Sequence, residues 1–214
     1  MFNIRPLLAT AATAAMLFVM GCADRIPTVP SERGRDLEVV SPPPAHLTTD
    51  TNTYRLLTRD VPLLFNLATT ECIAPSRNKT QSIKLLAAGV TLSFPPGAVL
   101  LKTCVTVTAY AGRYVVYDFQ PHGMIFLQPV QIQQDLRVTN AYHDDAVMSQ
   151  LVAGYLQNGL SDTDLASGLA NFAELFLVYF IDAGMNLKKT SPTTARFYTH
   201  HFSGYALASG RAGQ

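Results

Sequence analysis

Val90-Thr91-Leu92-Ser93-Phe94-Pro95-Pro96-Gly97 decides the fold, because three large apolar residues alternate with two small polar ones and a Pro-Pro-Gly stop follows at once. Alternation at a period of two puts Val90, Leu92 and Phe94 on one face, the pattern of a half-buried strand. Proline lacks the amide donor and glycine accepts backbone angles that other residues avoid, so residues 95–97 end that strand in a sharp turn. The pattern recurs along the chain. Val105 and Val107 alternate with Thr106 and Thr108; residues 114–119 form another run, Pro121-His122-Gly123 breaks it, and Ile125-Phe126 and residues 129–133 follow. Residues 176–181 are a continuous apolar stretch of the kind a buried strand shows, with Asp182-Ala183-Gly184 as its turn, and residues 195–199 and 205–208 complete the set. Short strands separated by turns at this spacing predict a mainly β fold, an antiparallel β-sandwich, with Phe119, Ile125 and Phe126 between the sheets.

One region departs from that rhythm. Residues 144–157 carry Val147, Leu151 and Tyr155 at i, i+4 and i+8, and residues 162–176 carry Leu165, Leu169, Phe172 and Phe176 at comparable spacing. Both predict amphipathic helices, separated by Gly159, with Ser161 and Asp162 capping the second. The expectation is an inserted helical hairpin at about 144–174, packed on one end of the sandwich. A partner-docking helix is the alternative.

At the front, Arg5 precedes an uncharged run from Leu7 to Met20, and Val19-Met20-Gly21-Cys22 closes it. That is the layout of a secretory leader, and the run is too short to span a bilayer comfortably. It resembles a lipoprotein signal, in which a small residue precedes an obligatory cysteine. Residues 1–21 are then a leader and Cys22 carries the lipid; an ordinary secretory signal with a chance cysteine is the alternative. Residues 22–52 hold Pro27, Pro30, Pro42, Pro43 and Pro44 among polar side chains with no apolar periodicity. They read as a Pro-rich tether that could hold the domain roughly 30 Å or more from the membrane, or as a segment folded back along its edge. The domain follows at 53–210, with a tail at 211–214. Ala23 rather than aspartate after the lipidated cysteine favours the outer over the inner membrane.

The 214 residues suit one domain plus a tail. The chain has 16 Lys and Arg against 15 Asp and Glu, and loss of the leader removes Arg5, leaving 15 against 15. A neutral chain argues against nucleic acid, whose binding rests on neutralising phosphates with basic side chains. Charged residues make up 14% of the chain, against roughly 25% in average proteins, so Thr, Ser, Gln and Asn carry the burden of solubility. With Cys22 assigned to lipid, Cys72 and Cys104 are the pair left to form a disulfide in an oxidising compartment. Two buried free thiols are the alternative.

Three motifs occur in one order: Val90 to Ala98; Phe119-Gln120-Pro121-His122-Gly123-Met124-Ile125-Phe126 followed by Pro129-Val130; and His201-Phe202-Ser203-Gly204-Tyr205-Ala206. Together they resemble the ZU-five domain, the β-rich module shared by zonula occludens proteins, netrin receptors and ankyrins and widespread in bacterial surface proteins. The resemblance covers about residues 82–208, with Ala87-Ala88-Gly89 where the family commonly has a Gly-Gly pair and with the helical insert outside its pattern. It implies a binding role without naming a partner, here an envelope protein or polysaccharide. Some ZU-five domains cut their own chain between the phenylalanine and serine of the last motif. If that carries over, Ser203 is the nucleophile attacking the Phe202 carbonyl and His201 is the base that takes its proton, leaving an ester for water to open. The same tripeptide also has a structural use, with Phe202 in the core, Ser203 bonded to backbone at a bend and Tyr205 resuming the strand.

Other candidates are thinner. His122 sits in a turn, where a backbone partner is expected. His200 beside His201, and His143 beside Asp144 and Asp145, hold metal-friendly atoms but lack the spacing of a ligand set. In a strand His200 and His201 face opposite sides. The chain contains no G-x-S-x-G elbow, phosphate-binding glycine loop or H-E-x-x-H. The expected function is a lipid-anchored extracytoplasmic interaction or structural module, non-catalytic and without metal or cofactor. The rivals are a self-processing domain and an envelope scaffold with no specific ligand.

Overall fold

The computed structural model describes residues 53–181 and 192–213, so the leader 1–21, Cys22, the tether 22–52 and the turn Asp182-Ala183-Gly184 lie outside the described residues. Eight strands come first: β1 (Thr53–Leu56), β2 (Thr58–Leu63), β3 (Leu67–Ile73), β4 (Gln81–Leu85), β5 (Val90–Phe94), β6 (Thr103–Ala109), β7 (Gly112–Tyr114) and β8 (Val116–Gln120). The long β9 (Ile125–Asp135) and a five-residue helix, α1 (Asp145–Ser149), follow. Then come β10 (Leu151–Leu156), β11 (Thr163–Asp164), β12 (Leu169–Asn171), β13 (Glu174–Phe176), β14 (Tyr179–Ile181), β15 (Thr194–His201) and β16 (Gly204–Arg211).

All pairing is antiparallel. The larger sheet runs β11-β12-β1-β16-β8-β6-β3, with β10 also on β16 and β13 on β10; the second runs β14-β15-β9-β5-β4; β2 and β7 form a small third. The stretch 90–94 behaves as its alternation dictates, with Val90, Leu92 and Phe94 buried and Thr91 and Ser93 half-buried. It pairs Leu92 with Ile83 on one side and Ile132 on the other. The turns after it are glycine turns as expected, with Gly97 and Gly123 at φ of +78° and +71°, where a side chain would be strained.

Side chains of the two larger sheets share one core. Ile83, Leu92, Phe94, Val130, Ile132 and Phe197 come from the second sheet, and Val105, Val107, Tyr117, Phe119, Tyr205 and Leu207 come from the larger one. A smaller cluster, Tyr54, Leu56, Val116, Leu156, Ala170, Phe172, Ala206 and Ala208, covers the opposite face of the larger sheet. This is why β16 is buried along nearly its whole length. Its alternate residues serve two cores, and Gly204, Ala206 and Ala208 are small enough for the second layer to lie close.

The helical hairpin is not formed. Among residues 144–174 only α1 is an α-helix, started by Asp144, whose carboxylate accepts from the Ala146 and Val147 amides. Leu151 and Tyr155 lie on a strand, in register with Ser209 and Tyr205 of β16. A four-residue spacing is two strand periods as well as about one helical turn, and Gly154, which weakens a helix, lies between them. Asp162 accepts from the Asn158 backbone and side-chain amides instead of capping a helix, and Asp164 accepts from Ala166 and Ser167 in a turn that leads into β12. The stretch 176–181 is also corrected: it is split between β13, paired with β10, and β14, paired with β15. Leu177 between them is 79% exposed. Residues 125–126 and 129–133 are one strand, with Phe126 buried but Ile125 facing solvent.

Candidate functional site

The bend between β15 and β16 carries His201-Phe202-Ser203, and its anchor is Phe202. The ring is buried against Phe126, Phe119 and Phe94, at centroid distances of 4.5, 5.4 and 6.1 Å. Edge-on and tilted contacts of this kind add to the burial of the ring itself. The backbone is fixed on both sides: the Phe202 amide donates to the Met124 carbonyl, the Phe202 carbonyl accepts from the Gly123 amide, and the Ser203 carbonyl accepts from the Phe119 amide, each at 3.0 Å. The Pro121-His122-Gly123 turn and the bend therefore clasp each other.

Polar side chains stitch the rest of the bend. The His201 amide donates to Thr199 Oγ1 at 3.2 Å, the Tyr205 hydroxyl donates to the His201 carbonyl, and the Thr199 and Tyr205 hydroxyls lie 2.8 Å apart. Burial holds the Tyr205 phenol well above the ordinary tyrosine range; the Thr199 hydrogen bond offsets this in part, while Tyr155 and Glu174 add to it. His201 Nδ1 lies 3.1 Å from the Tyr205 hydroxyl and Nε2 lies 3.4 Å from Glu174, with the Tyr155 ring edge-on at 4.7 Å. Ser203 Oγ donates to the Leu156 carbonyl at 3.4 Å. The histidine and serine of the tripeptide thus share a bend but not a hydrogen bond: each is held by different partners.

His122 has a side-chain partner rather than the expected backbone one. Its Nε2 lies 2.7 Å from Asp118 Oδ1, and Gln120 Nε2 donates to the other carboxylate oxygen at 3.1 Å. Asp118 is buried on β8, so these contacts satisfy polar atoms that desolvation would otherwise penalise. His143 is 3.9 Å from Asp60, and its side chain is mostly in solvent. His200 is exposed and His201 half-buried, as expected of neighbours in a strand. No group of three or more His, Cys, Asp or Glu side chains able to hold a metal ion occurs among the described residues. No helix among them is long and apolar enough to cross a membrane.

Cys72 and Cys104 form a disulfide, directly opposite each other on β3 and β6. Both cysteines face solvent, on the side of the sheet away from Val105 and Val107. Next to them on the same face, the Thr70 and Thr106 hydroxyls lie 2.8 Å apart.

Two features have no counterpart in the sequence reading. Arg59 on β2 is 4% exposed, donates to the Tyr114 carbonyl and sits 5.7 Å over the Tyr117 ring. Burial pushes the Tyr117 phenol up to about 12, and the Arg59 cation partly offsets this. Beside them a depression of about 280 Å³ is lined by Arg59, Asp60, Leu63, Ala87, Arg137 and Val138 among others. Arg137 is held by Asp135 at 2.6 Å, and that contact lowers the carboxyl below its usual range. The second feature is a set of exposed aliphatic side chains, Leu100, Leu101, Ile125 and Leu127, at the opposite end of the strands. No signal along the chain marks either: a lone arginine in a short strand reads as surface, and the four aliphatic residues come from two separate segments.

No family model and no curated protein matches the sequence.

Proposed function

We propose that the chain is a lipid-anchored, extracytoplasmic β-sandwich of the ZU-five kind that acts as a non-catalytic interaction or structural module of the cell envelope. The observation that carries this reading is the solvent-facing Cys72–Cys104 disulfide, since exposed bridges persist in oxidising compartments and are rare where glutathione and thioredoxin act. The leader at 1–21 and Cys22 fit the same location, with Ala23 favouring the outer membrane. The segments that carry the resemblance are β structure and turns, with residues 90–94 a strand, residues 121–123 a turn and Phe202 in the core between two strands, which is compatible with a β-rich module. The partner is an envelope protein or polysaccharide, and the neutral charge balance disfavours nucleic acid. Fractionation of cells making the full chain or its Cys22→Ala variant tests the reading. The parent chain is expected in the membrane fraction and the variant as unlipidated protein; equal distribution of the two would sink the anchor.

The alternative is self-cleavage between Phe202 and Ser203. One observation favours it, the Gly123 amide donating to the Phe202 carbonyl at 3.0 Å, where a developing oxyanion would be stabilised. Against it, Ser203 Oγ donates to Leu156 and both His201 ring nitrogens face other partners, so the proposed base does not meet the nucleophile. The intact mass of the mature chain separates the two readings.

A further inference from the structure

We propose that the end of the domain formed by residues 74–80, 95–102 and the start of β9 docks on an anionic lipid surface. Four aliphatic side chains there stand out of the fold: Leu100, Leu101, Ile125 and Leu127 are 74, 76, 77 and 56% exposed. They belong to one patch. The Gly97 amide donates to the Ser76 carbonyl at 2.8 Å and the Leu127 amide to the Ala98 carbonyl at 3.1 Å, which ties both loops to β9. The pairing of Ile73 with Thr103 sets Lys102 beside Ala74. Exposed apolar side chains brought together in this way mark an interaction site.

Charge decides what it meets. Arg77, Lys79 and Lys102 flank the patch and form no ion pair among the described residues. Between Glu71 and Asp135 the chain has one acidic residue, Asp118, and that carboxylate is buried and held by His122. Glu174, at the same end, faces His201. Projecting aliphatic side chains accompanied by cations that pair with no carboxylate among the described residues match an interface in which apolar groups enter the headgroup and acyl boundary while cations stay at the phosphates. Long lysine and arginine stems can reach that level while their own methylenes cover apolar surface. The proposal stands on these residues and goes beyond the anchor at Cys22: one end of the folded domain, not the tether, makes the contact.

The chain contains no tryptophan, so Leu101→Trp introduces a single fluorophore at the patch, and Leu64→Trp places one at a site 92% exposed at the other end. The full chain carrying either substitution is reconstituted with vesicles of brominated phosphatidylcholine, alone or in equal parts with phosphatidylglycerol. Expected is a blue-shifted, bromine-quenched emission for Leu101→Trp with the anionic vesicles only, and none for Leu64→Trp. Adding Arg77→Gln, Lys79→Gln and Lys102→Gln together should weaken the partition on the order of 100-fold. Emission that stays solvent-like, or quenching that is equal in neutral vesicles, overturns the proposal. So does a blue shift that grows with protein concentration without lipid, which would assign the patch to a second copy of the chain. Flotation of the Leu64→Trp chain with neutral vesicles reports the Cys22 anchor separately, so either reading can fail alone.

Discussion

At one end of the strands, where residues 74–80, 95–102 and 121–124 meet, Arg77, Lys79 and Lys102 have no carboxylate partner among the described residues and accompany four projecting aliphatic side chains. At the other end, where β4 turns into β5 and β9 runs out, two arginines are held against the fold. Arg59 is buried over Tyr117 and bonded to the Tyr114 carbonyl, and Arg137 is clamped by Asp135. The chain is poor in charge throughout, so the contrast is one of placement. Charge at the far end is drawn into the fold at a cost: Arg59 Nε and Nη2 are buried without a hydrogen-bond partner among the described residues, which the Tyr117 ring beneath the guanidinium offsets in part. At the near end the fold is held from below by Phe202 and by backbone hydrogen bonds between loops, which leaves the surface free to differ.

If that contrast is right, the interior of the near end carries stability and its tips do not. The largest effect is expected from Phe202→Ala, a loss of about 3–5 kcal/mol in urea unfolding, because the ring has three aromatic neighbours and a cavity would replace it. A loss below 1 kcal/mol (roughly, on the scale of surface changes) would show that the bend is not anchored by its core. Reducing the Cys72–Cys104 bridge, which closes a separation of 32 residues, should lower stability by about 3–4 kcal/mol in the chain-entropy model. An unchanged melting temperature after reduction would mean that β3 and β6 are held by pairing alone.

Gly154→Ala sharpens the comparison from the second core. Its Cβ would fall 2.0 Å from the Phe172 ring, which stacks on Tyr54 at 5.3 Å, so a cost of about 1–3 kcal/mol is expected. Wild-type stability from this substitution would show that Phe172 can move aside. A smaller effect reads the far end directly. Tyr117 titrates at about 12 in the fold against 10.0 for the free side chain. The unfolded chain therefore loses the phenol proton first, and the stabilisation present below pH 10 declines as the pH rises towards 12. Tyr117→Phe should flatten that part of the stability curve, and an equally steep decline would acquit Tyr117. Smallest of all, Leu100→Ser with Leu101→Ser should change stability by no more than about 0.5 kcal/mol. A larger loss would make the patch part of the fold rather than a contact surface.

How much of this was readable depends on which residues are asked. Residues 90–94 announced themselves because one face is buried and the other is not, so alternation and burial coincide. Residues 151–156 misled because Leu151 and Tyr155 satisfy a helical and a strand spacing alike, and because both strand faces are covered, by one core on the Ala153 side and by another on the Leu156 side. Residues 176–181 looked buried by composition, yet the two short strands they form belong to different sheets and leave Leu177 and Tyr179 in contact with solvent. The bend at 201–205 was legible in its parts, since Phe202 enters the core and Tyr205 resumes a strand. Its partners Gly123, Met124, Leu156 and Glu174 were not, because nothing in local pattern fixes which distant turn meets it.

On the proposed function, the mature chain starts at a lipid-bearing Cys22 and carries an uncut module. The intact mass of the protein extracted from cell membranes tests both halves at once. It is expected to equal residues 22–214 plus acyl groups in a single species. A mass that retains residues 1–21 without lipid, or a pair of fragments meeting between Phe202 and Ser203, would contradict it.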